Sequence, residues 1–205
     1  MPDKHYDMRY YVIAGEPSGD LHGGKLMQQI AANDPEAEFR CTGGDTMAQI
    51  AGPGRLKYHY KEMSFFGFVQ VALNLRTIFS QIDEVKSDIA SFNPDVVILI
   101  DYPAFNLRIA KWAKSRGIKV YYYIAPKVWA WKEWRVKGIR RYVDRLYTIF
   151  PFESDYFRSK GIEPCFLGNP LVDDIAERAA SMPTRESFLR DNGLDSRPIV
   201  ALLAG

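Results

Sequence analysis

Val96-Val97-Ile98-Leu99-Ile100, followed by Asp101-Tyr102-Pro103-Ala104-Phe105-Asn106, decides the fold. The first five residues are aliphatic, with no polar alternation. A strand with one wet face alternates; a strand covered on both faces does not. The run therefore predicts an inner strand of a parallel sheet. Further β-branched and aromatic runs predict strands at Tyr10 to Ala14, Glu38 to Thr42, Lys119 to Ile124, Arg145 to Phe150 and Cys165 to Leu167, with Asp95 opening the central one. Helical patterns fall between them, at about 18–32, 68–91, 105–116, 131–142 and 152–160. Such alternation predicts a doubly wound α/β sheet.

Gly168-Asn169-Pro170 closes this unit, giving an expected domain over 1–170. Beyond it, Asp191-Asn192-Gly193 and Ser196-Arg197-Pro198 punctuate the chain, and Ile199 to Leu203 reads as a new buried strand. Residues 171–205 are thus expected to be a connecting segment and the first strand of a truncated further domain. An edge strand completing the same sheet is the alternative. The 205 residues, 47% hydrophobic, suit one large domain or one and the start of another. A net charge of +2 does not by itself argue for nucleic acid. Cys41 and Cys165 have no metal-ligand spacing and read as buried thiols in a reducing compartment. The polar start argues against a secretion signal. No run approaches the roughly 20 apolar residues of a spanning helix, so membrane contact is expected only at the surface.

Two loops carry candidate chemistry. Gly15-Glu16-Pro17-Ser18-Gly19-Asp20 links the first strand to the first helix, where such folds bind ligands. Ser18 suits a helix cap, and Glu16 and Asp20 suit holding sugar hydroxyls. A capped turn with solvated acids accounts for the same residues. Gly19 to Lys25 has the glycine and lysine spacing of a phosphate loop, but Leu26 stands where its hydroxyl residue belongs, and the stretch reads as helix. Asp101 occupies the second loop. At a crevice mouth, burial would raise its pKa and suit it to take a proton from an attacking hydroxyl. An ordinary turn or cap is again the alternative.

Two further segments stand out. Ala125 to Arg135 holds three of the four tryptophans, and Trp131 to Tyr142 carries five basic residues and one acid. This composition suits phosphate, anionic lipid or a ligand wall; tryptophans in the core beneath a solvated basic face would also produce it. The helix at 68–91 has a core stripe of Phe68, Val71, Ala72, Leu75, Ile78, Phe79, Ile82, Val85 and Ile89. Phe66, Val69 and Leu73 form a second stripe, Phe65 adds to it, and Arg76 extends it with charge. An acyl-chain pocket or lipid interface fits, as does a helix end covered by a loop.

Read together, Ala14-Gly15-Glu16-Pro17-Ser18-Gly19-Asp20, Ile100 to Asn106, Tyr123-Ile124-Ala125-Pro126-Lys127-Val128-Trp129-Ala130-Trp131, Phe150-Pro151-Phe152-Glu153 and Leu167-Gly168-Asn169-Pro170 resemble the lipid-A-disaccharide synthases, in order and spacing, over most of the chain. The resemblance implies the N-terminal half of a two-domain GT-B-type glycosyltransferase with mostly parallel, Rossmann-like sheets. It implies transfer of 2,3-diacylglucosamine from UDP to the 6-hydroxyl of 2,3-diacylglucosamine 1-phosphate, at the cytoplasmic face of the inner membrane of Gram-negative bacteria, with no cofactor and no catalytic metal. Asp101 matches the general base. Glu16, Ser18, Gly19 and Asp20 match the acceptor-side loop, with Asn106 and Asn169 near the cleft. Phe65, Phe66, Phe68, Val69 and Leu73, with Arg76 beside them, match an apolar patch for acyl chains and membrane. Expected partners are the acylated acceptor, the inner-membrane surface and copies of the same chain, but not nucleic acid. The UDP-diacylglucosamine donor would bind only with the missing half, leaving these residues inactive alone. The rivals are another UDP-sugar transferase or epimerase, and a lipid-binding module without catalysis.

Overall fold

The aliphatic run forms β4 (Val96–Ile100), every residue of it buried. The computed structural model describes residues 8–63, 75–179, 181–195 and 197. β4 lies in a seven-stranded sheet with β1 (Arg9–Ala14), β2 (Glu38–Gly43), β3 (Leu56–His59), β5 (Lys119–Tyr123), β6 (Arg145–Thr148) and β7 (Cys165–Phe166). The order is β3-β2-β1-β4-β5-β6-β7, and every neighbouring pair is parallel.

The lack of alternation in β4 has its cause in two helical layers. Val96, Ile98 and Ile100 pack with residues of α1 (Pro17–Asn33) and α2 (Asp45–Ala51). Val97 and Leu99 pack on the opposite face with residues of α4 (Leu75–Phe92), α5 (Pro103–Ser115), α6 (Val136–Tyr142) and α7 (Pro151–Ser159). A short helix, α3 (Tyr60–Met63), follows β3. Proline opens α1, α5 and α7, where its missing N–H costs no helical bond.

The chain divides into two compact units, Met1–Gly168 and Asn169–Gly205. The second contains α8 (Pro170–Ala179) and α9 (Arg185–Asp191), the latter capped by the Thr184 hydroxyl. The strand expected at Ile199 to Leu203 lies outside the described residues.

Several expectations change. β3 and α2 add a short strand and helix that the sequence pattern does not reveal, being four half-buried residues and seven residues with little apolar periodicity. The helix expected over 131–142 begins later, as a 3₁₀ turn at Glu133–Arg135 leading into α6. Phe79 is 48% exposed rather than in the core. The buried stripe runs through Ile82, Val85, Ile89 and Phe92, and Phe79 instead faces the Arg108 guanidinium at 5.4 Å. Cys41 is buried, and burial pushes its thiol up to about 12. Cys165 is only half-buried.

Candidate active site

β1 and β4 are adjacent, and the strand order reverses between them. The chain leaves β1 into α1 on one face and leaves β4 into α5 on the other. Ala14 pairs with Ile100, so both strands end level. The resulting crevice is where doubly wound sheets hold ligands. Gly15 lets its walls meet: a Cβ there would lie 2.4 Å from the Tyr102 ring.

Asp101 stands at this point. It and Tyr102 have φ of +40° and +45°, left-handed conformations that cost about 1–3 kcal/mol each for residues other than glycine. Fixed partners impose them. The Asn106 amide donates to the carbonyls of Ile100 (3.2 Å) and Asp101 (2.8 Å). The buried Tyr122 hydroxyl donates to the Asp101 carbonyl at 2.5 Å. Tyr102 donates through its hydroxyl to the Met63 carbonyl at 3.3 Å. The backbone is thereby held so that the Asp101 side chain enters a pocket of about 230 Å³, lined also by Pro103, Pro126, Lys127, Val128, Trp131 and Arg135. Burial, then the charge of Glu16, raises the Asp101 pKa; Lys127, the Tyr102 N–H and Arg135 oppose the rise. A carboxylate so placed is a stronger base than one in water.

Of the residues expected at the site, Asp101 and Glu16 come together across the two loops, and Glu16 is exposed. Ser18 does not cap α1. Glu16 is the residue preceding that helix, and the Ser18 hydroxyl donates to its carboxylate at 2.9 Å. Gly19 is buried, its Cα side 3.1 Å from the Ala14 methyl if a Cβ were added, so its small size serves packing of α1 on the sheet.

Asp20 corrects its expectation. It is 5% exposed. One carboxylate oxygen accepts from the N–H groups of Gly44 (2.7 Å) and Met47 (3.0 Å), the other from Thr46 (3.1 Å). These are orphan donors at the start of α2, so Asp20 ties two helices together rather than reaching for a hydroxyl. Asn106 is corrected likewise: fully buried, it positions the Asp101 turn and has no surface for substrate. Asn169 belongs to the second unit, where its side-chain oxygen accepts the Leu171 N–H at 3.0 Å. Phe65, Phe66, Phe68, Val69 and Leu73 lie outside the described residues. Arg76 is exposed on α4.

The tryptophan segment is an outer wall, not core: Trp129, Trp131 and Trp134 are 40%, 62% and 69% exposed. Sequence reasoning missed its fastening. The fully buried Glu153 accepts the Trp129 indole N–H at 3.0 Å and the N–H groups of Ile149 and Phe150, each at 3.1 Å. Tyr122 was missed too, because a tyrosine inside a strand reads as packing. The Glu153 signal was available: Pro-x-Glu at a helix start is a capping pattern. Among the described residues, no group of three His, Cys, Asp or Glu could hold a metal ion, and no helix is long and apolar enough to cross a membrane.

Comparisons with known proteins bear on the family and the fold. The chain is 41% identical over 198 residues to a lipid-A-disaccharide synthase of Geobacter metallireducens, covering 96% of this chain and 50% of that one. It is 38% identical over 199 residues to the synthase of Myxococcus xanthus, with the same coverage. The chain therefore spans about half the length of the curated relatives it matches. Among solved structures it resembles UDP-N-acetylglucosamine 2-epimerase from Rickettsia bellii, with TM-score 0.61 and 14% identity over 92% of this chain and 52% of that one. The Methanocaldococcus jannaschii UDP-GlcNAc 2-epimerase gives 0.62 and 14% over 91% and 54%. At such identity the likeness is one of fold. The family model described as lipid-A-disaccharide synthetase matches residues 10–205, and the chain belongs to that family.

Proposed function

We propose that this chain forms the acceptor side of a lipid-A-disaccharide synthase, with Asp101 as the general base. The acceptor is 2,3-diacylglucosamine 1-phosphate, and the donor is UDP-2,3-diacylglucosamine. Asp101 takes the proton of the acceptor 6-hydroxyl as its oxygen bonds to C1 of the donor sugar. The bond from that carbon to the diphosphate oxygen breaks, and UDP leaves with the electron pair. The observation that carries this reading is the Asp101 carboxylate itself: half-buried, held by a strained turn at the switch point, and raised in pKa inside a pocket. Such general bases contribute about 10²–10⁴-fold to rate.

The donor side is assigned to the length of the relatives that this chain does not span. These 205 residues alone are expected to hold acceptor without transferring sugar. The phenylalanine-rich segment 64–74 is assigned to acyl chains, following in sequence from Met63, whose carbonyl is anchored by Tyr102 beside the site. Exposed Trp131 and Trp134 with exposed Lys132 suit the headgroup region, which supports a peripheral position on the inner face of the inner membrane. Asp101→Ala in the full-length protein, assayed by radiolabelled transfer, tests the assignment. Loss of turnover with the fold retained supports it; near-normal turnover refutes it.

A further inference from the structure

Arg135 is the cation in this fold whose placement most needs explanation. Its side chain is 8% exposed, yet among the described residues no carboxylate forms an ion pair with it. Arg40, by contrast, is held bidentately by Asp88, at 2.7 Å and 2.6 Å. Arg135 is flanked by aromatic rings, 5.9 Å from the Trp131 centroid and 5.5 Å from that of Trp134. Rings favour a guanidinium but do not replace an anion at its N–H groups. Desolvation disfavours its charged form, the charge of Asp101 opposing that only in part, and a buried guanidinium whose N–H groups meet no anion is costly. Its surroundings are open on one side: Arg135 lines the Asp101 pocket together with Lys127, which is exposed and forms no ion pair among the described residues. Two cations thus share a pocket with one carboxylate of raised pKa.

The geometry points to Arg135 and Lys127 as the seat for the phosphate of the acceptor sugar. This rests on the function proposed above and adds a binding subsite to it. In glucosamine 1-phosphate, the phosphate-bearing C1 and the carbon bearing the hydroxymethyl group flank the ring oxygen. A phosphate seat beside the base for the 6-hydroxyl is therefore the arrangement that substrate requires. The nucleotide diphosphate of the donor is the other source of such an anion. A second feature favours the acylated monoester: Arg135 also lines an adjoining, largely apolar groove of about 500 Å³ whose wall includes Leu107, Trp134, Gly138 and Tyr142, with the cationic Arg108 and Lys111 beside them. One guanidinium thus meets both the pocket of the base and an apolar trough, as an amphiphile with a phosphate headgroup demands.

The test is calorimetric titration of the 205-residue chain with three probes: dihexanoylglucosamine 1-phosphate, the same sugar lacking its phosphate, and UDP. The phosphorylated sugar is expected to bind about tenfold or more tightly than the phosphate-free one, and UDP weakly. Lys127→Ala, at an exposed position, should reduce that preference by about threefold or more, and Arg135→Gln should abolish it. Should Arg135→Gln fail to fold, the exposed variant decides. A smaller effect of Lys127→Ala, or UDP binding at the same seat more tightly than the sugar phosphate, overturns the assignment. Asp101→Asn separates the two claims: it should lose transfer in the full-length protein while keeping the phosphate preference here.

Discussion

Replacing Asp20 by Asn changes one oxygen and tests whether that carboxylate serves the fold or the cleft. In the parent, Oδ1 accepts from Gly44 and Met47 and Oδ2 from Thr46. In the variant an NH₂ group faces one of these donors, so at least one bond is lost and the rest lose their charge. Hydrogen bonds to a charged group contribute about 1.5–3 kcal/mol, and neutral ones about 0.5–1.5 kcal/mol. One loss and two weakenings therefore sum to about 4–6 kcal/mol, the attraction of the carboxylate to the start of α2 being part of what the charged bonds lose. Urea unfolding at neutral pH reads this as a lower midpoint at unchanged slope. A loss below about 1 kcal/mol would refute the reasoning, because a carboxylate dispensable to the fold would be free to serve a ligand.

Further outcomes follow from the same contacts. Asp101 has a pKa raised by burial and by Glu16; an acid that holds its proton more tightly when folded stabilises the fold below its unfolded pKa and loses that contribution as pH rises through the folded one. Asp101→Asn should therefore gain stability relative to the parent between acid and neutral pH, and a pH-independent difference in unfolding midpoints would contradict this. Glu153→Gln removes one acceptor from a buried carboxylate bound to Trp129, Ile149 and Phe150; a loss of about 2–4 kcal/mol and faster exchange of the Trp129 indole proton by NMR are expected, whereas an unchanged indole signal would remove Glu153 as its anchor. Gly15→Ala places a methyl 2.4 Å from the Tyr102 ring and should cost about 1–3 kcal/mol in thermal unfolding; a neutral effect would mean that the two loops do not touch there.

The central sheet was legible because burial on both faces leaves a mark in the sequence. Val96 to Ile100 cannot alternate when helices cover both sides. β3 and α2 were not legible, because short elements with half-buried residues carry too little periodicity. At the site, Asp101 could be read from its position after the most apolar strand. The roles of Asp20 and Asn106 could not. An acid in a helix and an amide after a strand look the same in sequence whether they face solvent, a ligand or the backbone of another segment. Asp20 meets residues 24 to 27 positions away, a contact that only the packing of α1 beside α2 creates. Trp129 and Glu153, 24 positions apart, show the same limit, although the position of Glu153 as a helix cap was readable.

The most direct measurement compares single-turnover transfer by the full-length protein and its Asp101→Asn variant, with acceptor binding measured alongside. The account predicts a rate lower by about 10²–10⁴-fold with acceptor affinity retained. A variant transferring sugar within about threefold of the parent rate, less than one kcal/mol of barrier, would contradict it.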